Sequence, residues 1–209
     1  MGEHARFSPS SAHRFINCAG STLLSESLPE TPDSVYGLEG SAAHLLAQRC
    51  LELNIDAALK IGSPLEYKTW KGVVTREMAG AVQIYLDEVR RKRKVTTYHA
   101  IEKWVDLSWL VTDVSGTADH VAAAPLDCLY VDDLKYGAGV PVEVENNPQL
   151  MTYGLGALGE NNPFGVEEVE ITITQPRIPH SDGPVRRITR QHQFVYAEPA
   201  HPNEEFAAG

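Results

Sequence analysis

The stretch GTADHVAAAPLDCLYVDDLKYGAG, residues 116–139, decides the fold of this chain of 209 residues. Its segments 116–122 and 128–135 are predicted to be successive β-strands, because the turn-like residues AAPLD separate them. A glycine-rich turn, Gly137-Ala138-Gly139, follows the second strand. We therefore expect two neighbouring strands that bring their polar residues together, and the rest of the chain is interpreted around this pair.

Further helices and strands are predicted on both sides of the central pair. Helical patterns cover residues 11–18 and 38–53, and Thr75 is a candidate N-cap for an amphipathic helix that runs to residue 91. The remaining predicted elements are a strand at 101–106, an extended piece at 142–145, a helix at 149–158 and strands at 166–174 and 191–197. This order predicts an α/β fold with a mixed central sheet flanked by helices.

The composition indicates one globular domain. Acidic residues outnumber basic ones by 28 to 18, and hydrophobic residues make up 43%, which is enough for a core. The length fits a single domain, with a core over about 38–177, a helical segment at 8–36 and a C-terminal extension at 178–209. No apolar run approaches the roughly 18 residues that a bilayer requires. We therefore expect a cytoplasmic protein without membrane contacts.

Several common functional motifs are missing from the sequence. It contains no Walker P-loop, no HExxH and no GxSxG, and the glycines at 137–139 lack the third glycine of a dinucleotide fingerprint. The three cysteines, Cys18, Cys50 and Cys128, are far apart and form no CxxC pair. Neither a disulfide framework nor a zinc ribbon is indicated.

The residues that carry chemistry lie on the central strand pair. Asp133 and Lys135 are two positions apart and share one strand face, while Asp119 lies on the preceding strand. Two carboxylates from adjacent strands form an oxygen-ligand site suited to Mg²⁺ or Mn²⁺. A nearby lysine can orient a water molecule and stabilise charge on a phosphate. The alternative is a simple salt bridge between Asp133 and Lys135, and Asp132, on the other face, is expected to be solvated.

A run of five basic residues ends the predicted central helix: Arg90, Arg91, Lys92, Arg93 and Lys94. Affinity for phosphates depends on such local patches even in an acidic protein. The run is therefore a candidate DNA-binding surface. The alternative is a solvated helix end, since cations complement the helix dipole there.

Three motifs in the order GTAD, DDLKYG and NNPQLMTYGLGAL resemble those of the RecB-like branch of the PD-(D/E)XK nucleases. Together with the segment SPSSAHRFINCAGS, they resemble in particular a RecB-like nuclease family common in phages and prophages. The resemblance extends from Ser8 to about Arg177. It implies a restriction-endonuclease-like core, whose order of helix, three strands, helix and strand agrees with the predicted order.

The resemblance also implies roles for individual residues. Asp119 and Asp133 match the acidic residues that ligate a metal ion, and the backbone carbonyl of Leu134 adds a third ligand. Lys135 matches the catalytic lysine. By this comparison, the central strand pair is the catalytic centre.

Four further residues match supporting positions of that family. His44 matches a helix histidine that reaches the metal, although apolar residues on its helix face also fit a packed or surface histidine. Glu102 resembles a further acidic position at the cleft, with a surface charge as the alternative. Gln149 and Tyr153 match a Gln-x-x-x-Tyr helix that positions DNA or the lysine, and ordinary packing explains their spacing equally well.

The function implied by the resemblance is that of a Mg²⁺- or Mn²⁺-dependent deoxyribonuclease, a phage exonuclease that hydrolyses phosphodiester bonds at DNA ends during recombination or replication. The implied partners are linear duplex or single-stranded DNA with a free end and a phage single-strand annealing or binding protein, and a homo-oligomer is compatible with this role. A phage-encoded protein would act in the cytoplasm of the bacterial host. Longer relatives carry a C-terminal cysteine cluster that can hold an iron–sulfur cluster. No cysteine follows Cys128 here, so we expect no iron–sulfur cluster.

Two other functions stay open. The chain can be a non-catalytic DNA-binding or partner-binding module that keeps the fold, which the complete set of Asp119, Asp133 and Lys135 argues against. It can also be a phage protein that binds a host nuclease or defence complex, which a pull-down from host lysate tests.

Overall fold

The computed structural model describes residues 6–18, 20–27, 29 and 32–191. Its helices are α1 (Ala12–Asn17), α2 (Ser21–Glu26), α3 (Val35–Leu53), α4 (Arg76–Arg93) and α5 (Pro148–Leu158). Its strands are β1 (Pro64–Tyr67), β2 (Trp70–Val73), β3 (Tyr98–Asp106), β4 (Ser115–Ala124), β5 (Cys128–Leu134), β6 (Glu168–Thr174) and β7 (Val185–Gln191). None of the helices in this part of the chain combines the length and apolarity needed to cross a membrane.

Five of the strands form one mixed sheet in the order β3-β4-β5-β6-β7. The neighbours β3–β4, β4–β5 and β6–β7 are antiparallel, whereas β5 and β6 are parallel. A parallel pair requires a crossover connection, and α5 lies in it. The predicted α/β fold with a mixed sheet flanked by helices is confirmed.

The three long helices begin at side-chain caps and cover the two faces of the sheet. Ser34, Thr75 and Asn147 each accept a backbone hydrogen bond from the first turn of α3, α4 and α5, respectively. Helices α3 and α4 pack together in one apolar core, and α5 packs on β3–β6 in a second core. Because side chains alternate along a strand, neighbouring residues of β5 reach different cores.

The structure differs from the sequence-based expectation in several of the described segments, among them α2, which was not predicted. The antiparallel hairpin β1–β2 was not predicted, since its Lys68-Thr69 turn lacks the usual glycine or asparagine. Strand β7 lies beyond the predicted core boundary at residue 177, and the predicted strand at 191–197 lies, except for Gln191, outside the described residues. The predicted extended piece at 142–145 pairs with no strand among the described residues, and the Val142 amide donates to the Gln175 side chain at 2.9 Å instead.

Candidate active site

Strands β4 and β5 bring the two predicted ligand carboxylates together. His120 pairs with Asp132 in the antiparallel register, so Asp119 and Asp133 are the next residues along. The Leu134 backbone N–H donates to Asp119 Oδ2 at 2.8 Å, which ties this side chain to β5. Asp133 is only 3% exposed. The sheet register therefore places the Asp119 and Asp133 carboxylates next to each other on adjacent strands, as the sequence predicts.

Lys135 is held between the carboxylate of Asp133 and a residue of α5. Its Nζ lies 3.1 Å from Asp133 Oδ1 and donates to Gln149 Oε1 at 2.8 Å. The Gln149 amide also reaches Asp133 Oδ1 at 3.4 Å. Tyr153, one turn further along α5, is buried, and this burial raises the pKa of its phenol to about 12. The salt bridge that the sequence allowed is present, but as one part of a wider cluster.

His44 faces the site from α3. Its Nδ1 lies 3.2 Å from Asp119 Oδ1, and its side chain is 31% exposed. Burial lowers the pKa of His44, but the attraction of Asp119 outweighs this effect and raises the pKa to about 9. Burial works against ionisation of Asp119 too, yet the His44 charge holds the pKa of that carboxyl below its usual range. At neutral pH the two groups therefore form an ion pair.

Glu102 lies opposite Asp119 on β3 in a strained conformation. The register passes from Ile101↔His120 to Lys103↔Ala118, and Glu102 between these pairs has a φ of 48°. A non-glycine residue in the left-handed region costs roughly 1–3 kcal/mol. Glu102 is exposed, but partial desolvation and the nearby Asp119 charge raise its pKa to about 7. No feature of the sequence indicated this distortion.

The donor atoms of the site suit a hard divalent cation in their chemistry. Two carboxylates are oxygen ligands suited to Mg²⁺ and Mn²⁺, whereas an imidazole is a ligand typical of transition-metal ions. Asp133 Oδ2 is buried and lies 2.8 Å from Lys135 Nζ, but it accepts no hydrogen bond from a described residue. Among the residues the structure describes, however, no group of three or more histidines, cysteines, aspartates or glutamates is arranged to hold a metal ion. Instead, the Asp119 carboxylate pairs with His44, and the Asp133 carboxylate pairs with Lys135.

The sequence profile of a family described as "Protein of unknown function (DUF2800)" matches residues 4–208. The chain belongs to the DUF2800 family. Because the match extends over nearly the whole chain, every candidate residue of the site lies within the DUF2800 region.

The other face of β5 in this DUF2800 protein carries a second charged cluster. Asp132 is fully buried, so the expectation that it is solvated is wrong. Lys92, which is also fully buried, donates from α4 to Asp132 and, at 2.5 Å, to Thr172. His120 Nδ1 lies 2.9 Å from Asp132 Oδ2, and Glu170 lies 2.9 Å from Lys92 Nζ. Buried lysines are almost always paired, and the sequence pattern did not identify this partner.

The basic run of α4 does not form the uniform patch that the sequence suggested. The prediction that Lys92 contacts DNA is corrected, since its ammonium is enclosed by acidic side chains. Arg90 bonds Asp56 and the Ile55 carbonyl, and Arg91 pairs with Glu88. The remaining two residues of the run, Arg93 and Lys94, are half-buried and exposed, respectively. DNA binding by the four arginine and lysine residues other than Lys92 stays a prediction.

Proposed function

We propose that this DUF2800 protein is a metal-dependent deoxyribonuclease with a PD-(D/E)XK core of the RecB-like type. The observation that carries the proposal is the meeting of Asp119, Asp133 and Lys135 on adjacent strands β4 and β5. Support comes also from the order of elements, in which a helix, three antiparallel strands, a helix and a parallel strand follow one another. The sequence motifs that resemble RecB-like nucleases occupy these same elements.

Each side chain of the site has a distinct task in this proposal. Asp119, Asp133 and His44 would hold Mg²⁺ or Mn²⁺, which supplies Lewis-acid activation of a phosphate and a lowered pKa of water when bound. Lys135 neutralises the charge that develops on the phosphate, and Gln149 keeps its ammonium beside Asp133. Hydrolysis adds water across one P–O bond, so no covalent bond to the protein is required.

The proposed enzyme acts on DNA ends. Non-specific affinity for duplex DNA scales with the number of phosphates that cations neutralise. The chain carries a net charge of −10, and several of its cations are paired with acidic side chains, such as Arg187 with Glu88 and Arg190 with Glu145. Internal duplex is therefore held weakly, whereas a free end can enter a cleft beside Lys135. A phage single-strand annealing or binding protein is a fitting partner for the product strand.

The test is incubation of end-labelled linear DNA and covalently closed circular DNA with the protein and Mg²⁺ or Mn²⁺. We expect progressive shortening of the linear DNA, little nicking of the circles, and no reaction in the presence of a chelator. Asp133→Asn should be inactive, while Asp127→Asn, which changes an exposed turn aspartate, should be fully active. Absence of cleavage with every divalent cation contradicts the proposal. Rapid cleavage of circles contradicts only the preference for ends.

One observation favours a second candidate, a non-catalytic DNA-binding or partner-binding module. The site carboxylates are already neutralised by His44 and Lys135, and the described residues present no ready-made group of metal ligands. Such a module binds DNA in a chelator and in Mn²⁺ alike but leaves the strand intact. The same assay, read for binding as well as cleavage, separates the two candidates.

A further inference from the structure

An open cleft of ≈ 410 Å³ lies directly beside the proposed catalytic residues. Its floor contains His44, Leu134 and Lys135. The beginning of α3 forms one wall, and the glycine-rich segment at 137–142 contributes to the other. A ligand that fills this cleft therefore lies against residues Lys135 and His44.

The cleft walls contain glycines that the folded chain does not require. Gly40, Gly137 and Gly139 line the cleft, and none of them has a positive φ. A Cβ atom built on any of the three meets no atom of a described residue within 4 Å, apart from its chain neighbours and, for Gly40, the backbone of its own helix. Neither packing nor backbone conformation explains these glycines. Their missing side chains leave open space and allow a ligand to approach the backbone closely.

The glycine-rich wall is held in place by buried polar side chains. Gln175, which is 2% exposed, donates to the Val140 carbonyl and accepts from the Val142 amide, both at 2.9 Å. Arg186 bonds the Gln175 side chain at 2.9 Å and the Val142 carbonyl at 2.8 Å. The wall is therefore preformed, which reduces the entropy that a ligand must remove on binding.

An aromatic side chain stands exposed at the rim of the cleft. Tyr36, in the first turn of α3, lines the cleft and is 84% exposed. Aromatic rings in this setting are stacking platforms for unpaired bases, because every base has a π-face. Its neighbour Val35 is 70% exposed but lies outside the cleft lining, so it offers a matched control.

We propose that the cleft binds an unpaired nucleotide at the end of a DNA strand, with the base stacked on Tyr36 and one phosphate against Lys135. This inference rests on the proposed function and names the substrate that its site takes. Among the described residues, the lining contains one lysine, one histidine and no carboxylate, which matches a single phosphate rather than several backbone phosphates. Both faces of a base inside a duplex are covered by the neighbouring bases, so such a base must leave the stack before it can stack on Tyr36.

Binding of a short single-stranded oligodeoxynucleotide with a terminal 2-aminopurine, measured by fluorescence in the presence of a chelator, tests the proposal. Stacking on Tyr36 should quench the fluorophore, and Tyr36→Ala should weaken binding by roughly 5- to 150-fold. Tyr36→Trp should retain affinity because it keeps a ring, and Val35→Ala should bind as the wild type does. Gly139→Ala should weaken binding without lowering the melting temperature, because its Cβ atom enters the cleft and meets no neighbouring side chain within 4 Å. A blunt duplex should bind more weakly than the single strand.

Equal affinity of Tyr36→Ala and wild type overturns the proposal, and so does failure of the wild type to bind the single strand. Because a chelator prevents hydrolysis, the result is independent of catalysis. If Tyr36→Ala binds normally and the wild type cleaves DNA with Mn²⁺, the proposed nuclease function stands and the proposed stacking on Tyr36 is wrong. If binding depends on Tyr36 but the wild type does not cleave DNA, the proposed stacking on Tyr36 stands and the proposed nuclease function is wrong.

Discussion

Two consecutive aspartates of β5 lie in opposite surroundings, although each is paired with a lysine. Asp132 meets Lys92 under α4, where both side chains are completely buried. Asp133 meets Lys135 beside the cleft, where the lysine side chain is 23% exposed. The same pair of residue types is thus sealed on one face of the sheet and accessible on the other.

This difference in exposure indicates which of the two aspartate–lysine pairs is suited to catalysis. On the sealed face, Asp132 is bonded by both Lys92 and His120, and these partners hold its pKa below the usual value although burial opposes this. On the cleft face, burial and the neighbouring Asp119 raise the pKa of Asp133, although Lys135 opposes the shift. The pKa of Asp119, its neighbour in the site, is lowered instead, and adjacent carboxylates with pKa values pushed apart are typical of functional sites.

The largest expected effect is on catalysis at the cleft face. Asp119→Asn or Asp133→Asn should each lower the rate of DNA hydrolysis by at least roughly 10²–10³-fold, because the charges that act on the phosphate are lost. The melting temperature of Asp133→Asn should stay close to that of the wild type, while that of Asp119→Asn should fall because the ion pair with His44 is lost. Single-turnover cleavage and thermal unfolding of the same preparations measure both quantities. Activity near that of the wild type in either variant would show that these carboxylates have no catalytic task.

The second largest effect concerns stability at the sealed face. Lys92→Ala leaves Asp132 as a buried charge without its main partner, and should lower the free energy of unfolding by roughly 3–5 kcal/mol. Lys103→Ala, at a lysine of β3 outside this cluster, serves as the control. The double variant Lys92→Met with Asp132→Leu should recover much of the loss, since an apolar pair needs no counter-charge. If urea unfolding gives the same free energy of unfolding for Lys92→Ala and the wild type, the Lys92–Asp132 cluster is not buried from solvent.

A smaller effect is expected in the pH dependence of stability at the cleft. The pKa of His44 is raised from 6.5 to about 9 by Asp119, after burial is overcome. A raised pKa stabilises the fold below the unfolded value of 6.5, and this contribution is lost as the pH rises through about 9. Melting temperatures of the metal-free protein should therefore fall across this interval, and should fall less in His44→Gln. Equal slopes for both proteins would rule out the ion pair with Asp119.

The smallest effect is expected at the end of α4. Lys94 is exposed, so Lys94→Gln should flatten the slope of log affinity against log salt by at most about one unit. Lys92 should contribute nothing to this slope, because its ammonium does not face solvent. Binding measured in an Asp133→Asn background keeps hydrolysis from distorting the values. An unchanged slope for Lys94→Gln would show that Lys94 contacts no phosphate.

The sequence predicted the sheet and the central carboxylates well because they depend on local pattern. Alternation and turn residues located β3, β4 and β5, and a spacing of two placed Asp133 beside Lys135. Contacts between distant segments were not accessible in this way. The pairing of Lys92 with Asp132 joins residues 40 positions apart. The exposed ring of Tyr36 is a candidate binding residue only because folding places it at the cleft. The resemblance to RecB-like nucleases supplied the candidate role of His44, which its helix pattern alone did not distinguish from packing.

The most direct test of the account is the rate of DNA hydrolysis by Lys135→Ala beside that of Lys103→Ala. Both changes remove one lysine charge from the sheet region, but only Lys135 contacts Asp133 and Gln149. The account predicts that Lys135→Ala loses at least roughly 10²-fold in the Mn²⁺-dependent cleavage of end-labelled linear DNA, while Lys103→Ala retains the wild-type rate. Cleavage by Lys135→Ala at the rate of Lys103→Ala would contradict the assignment of the cleft as the catalytic centre.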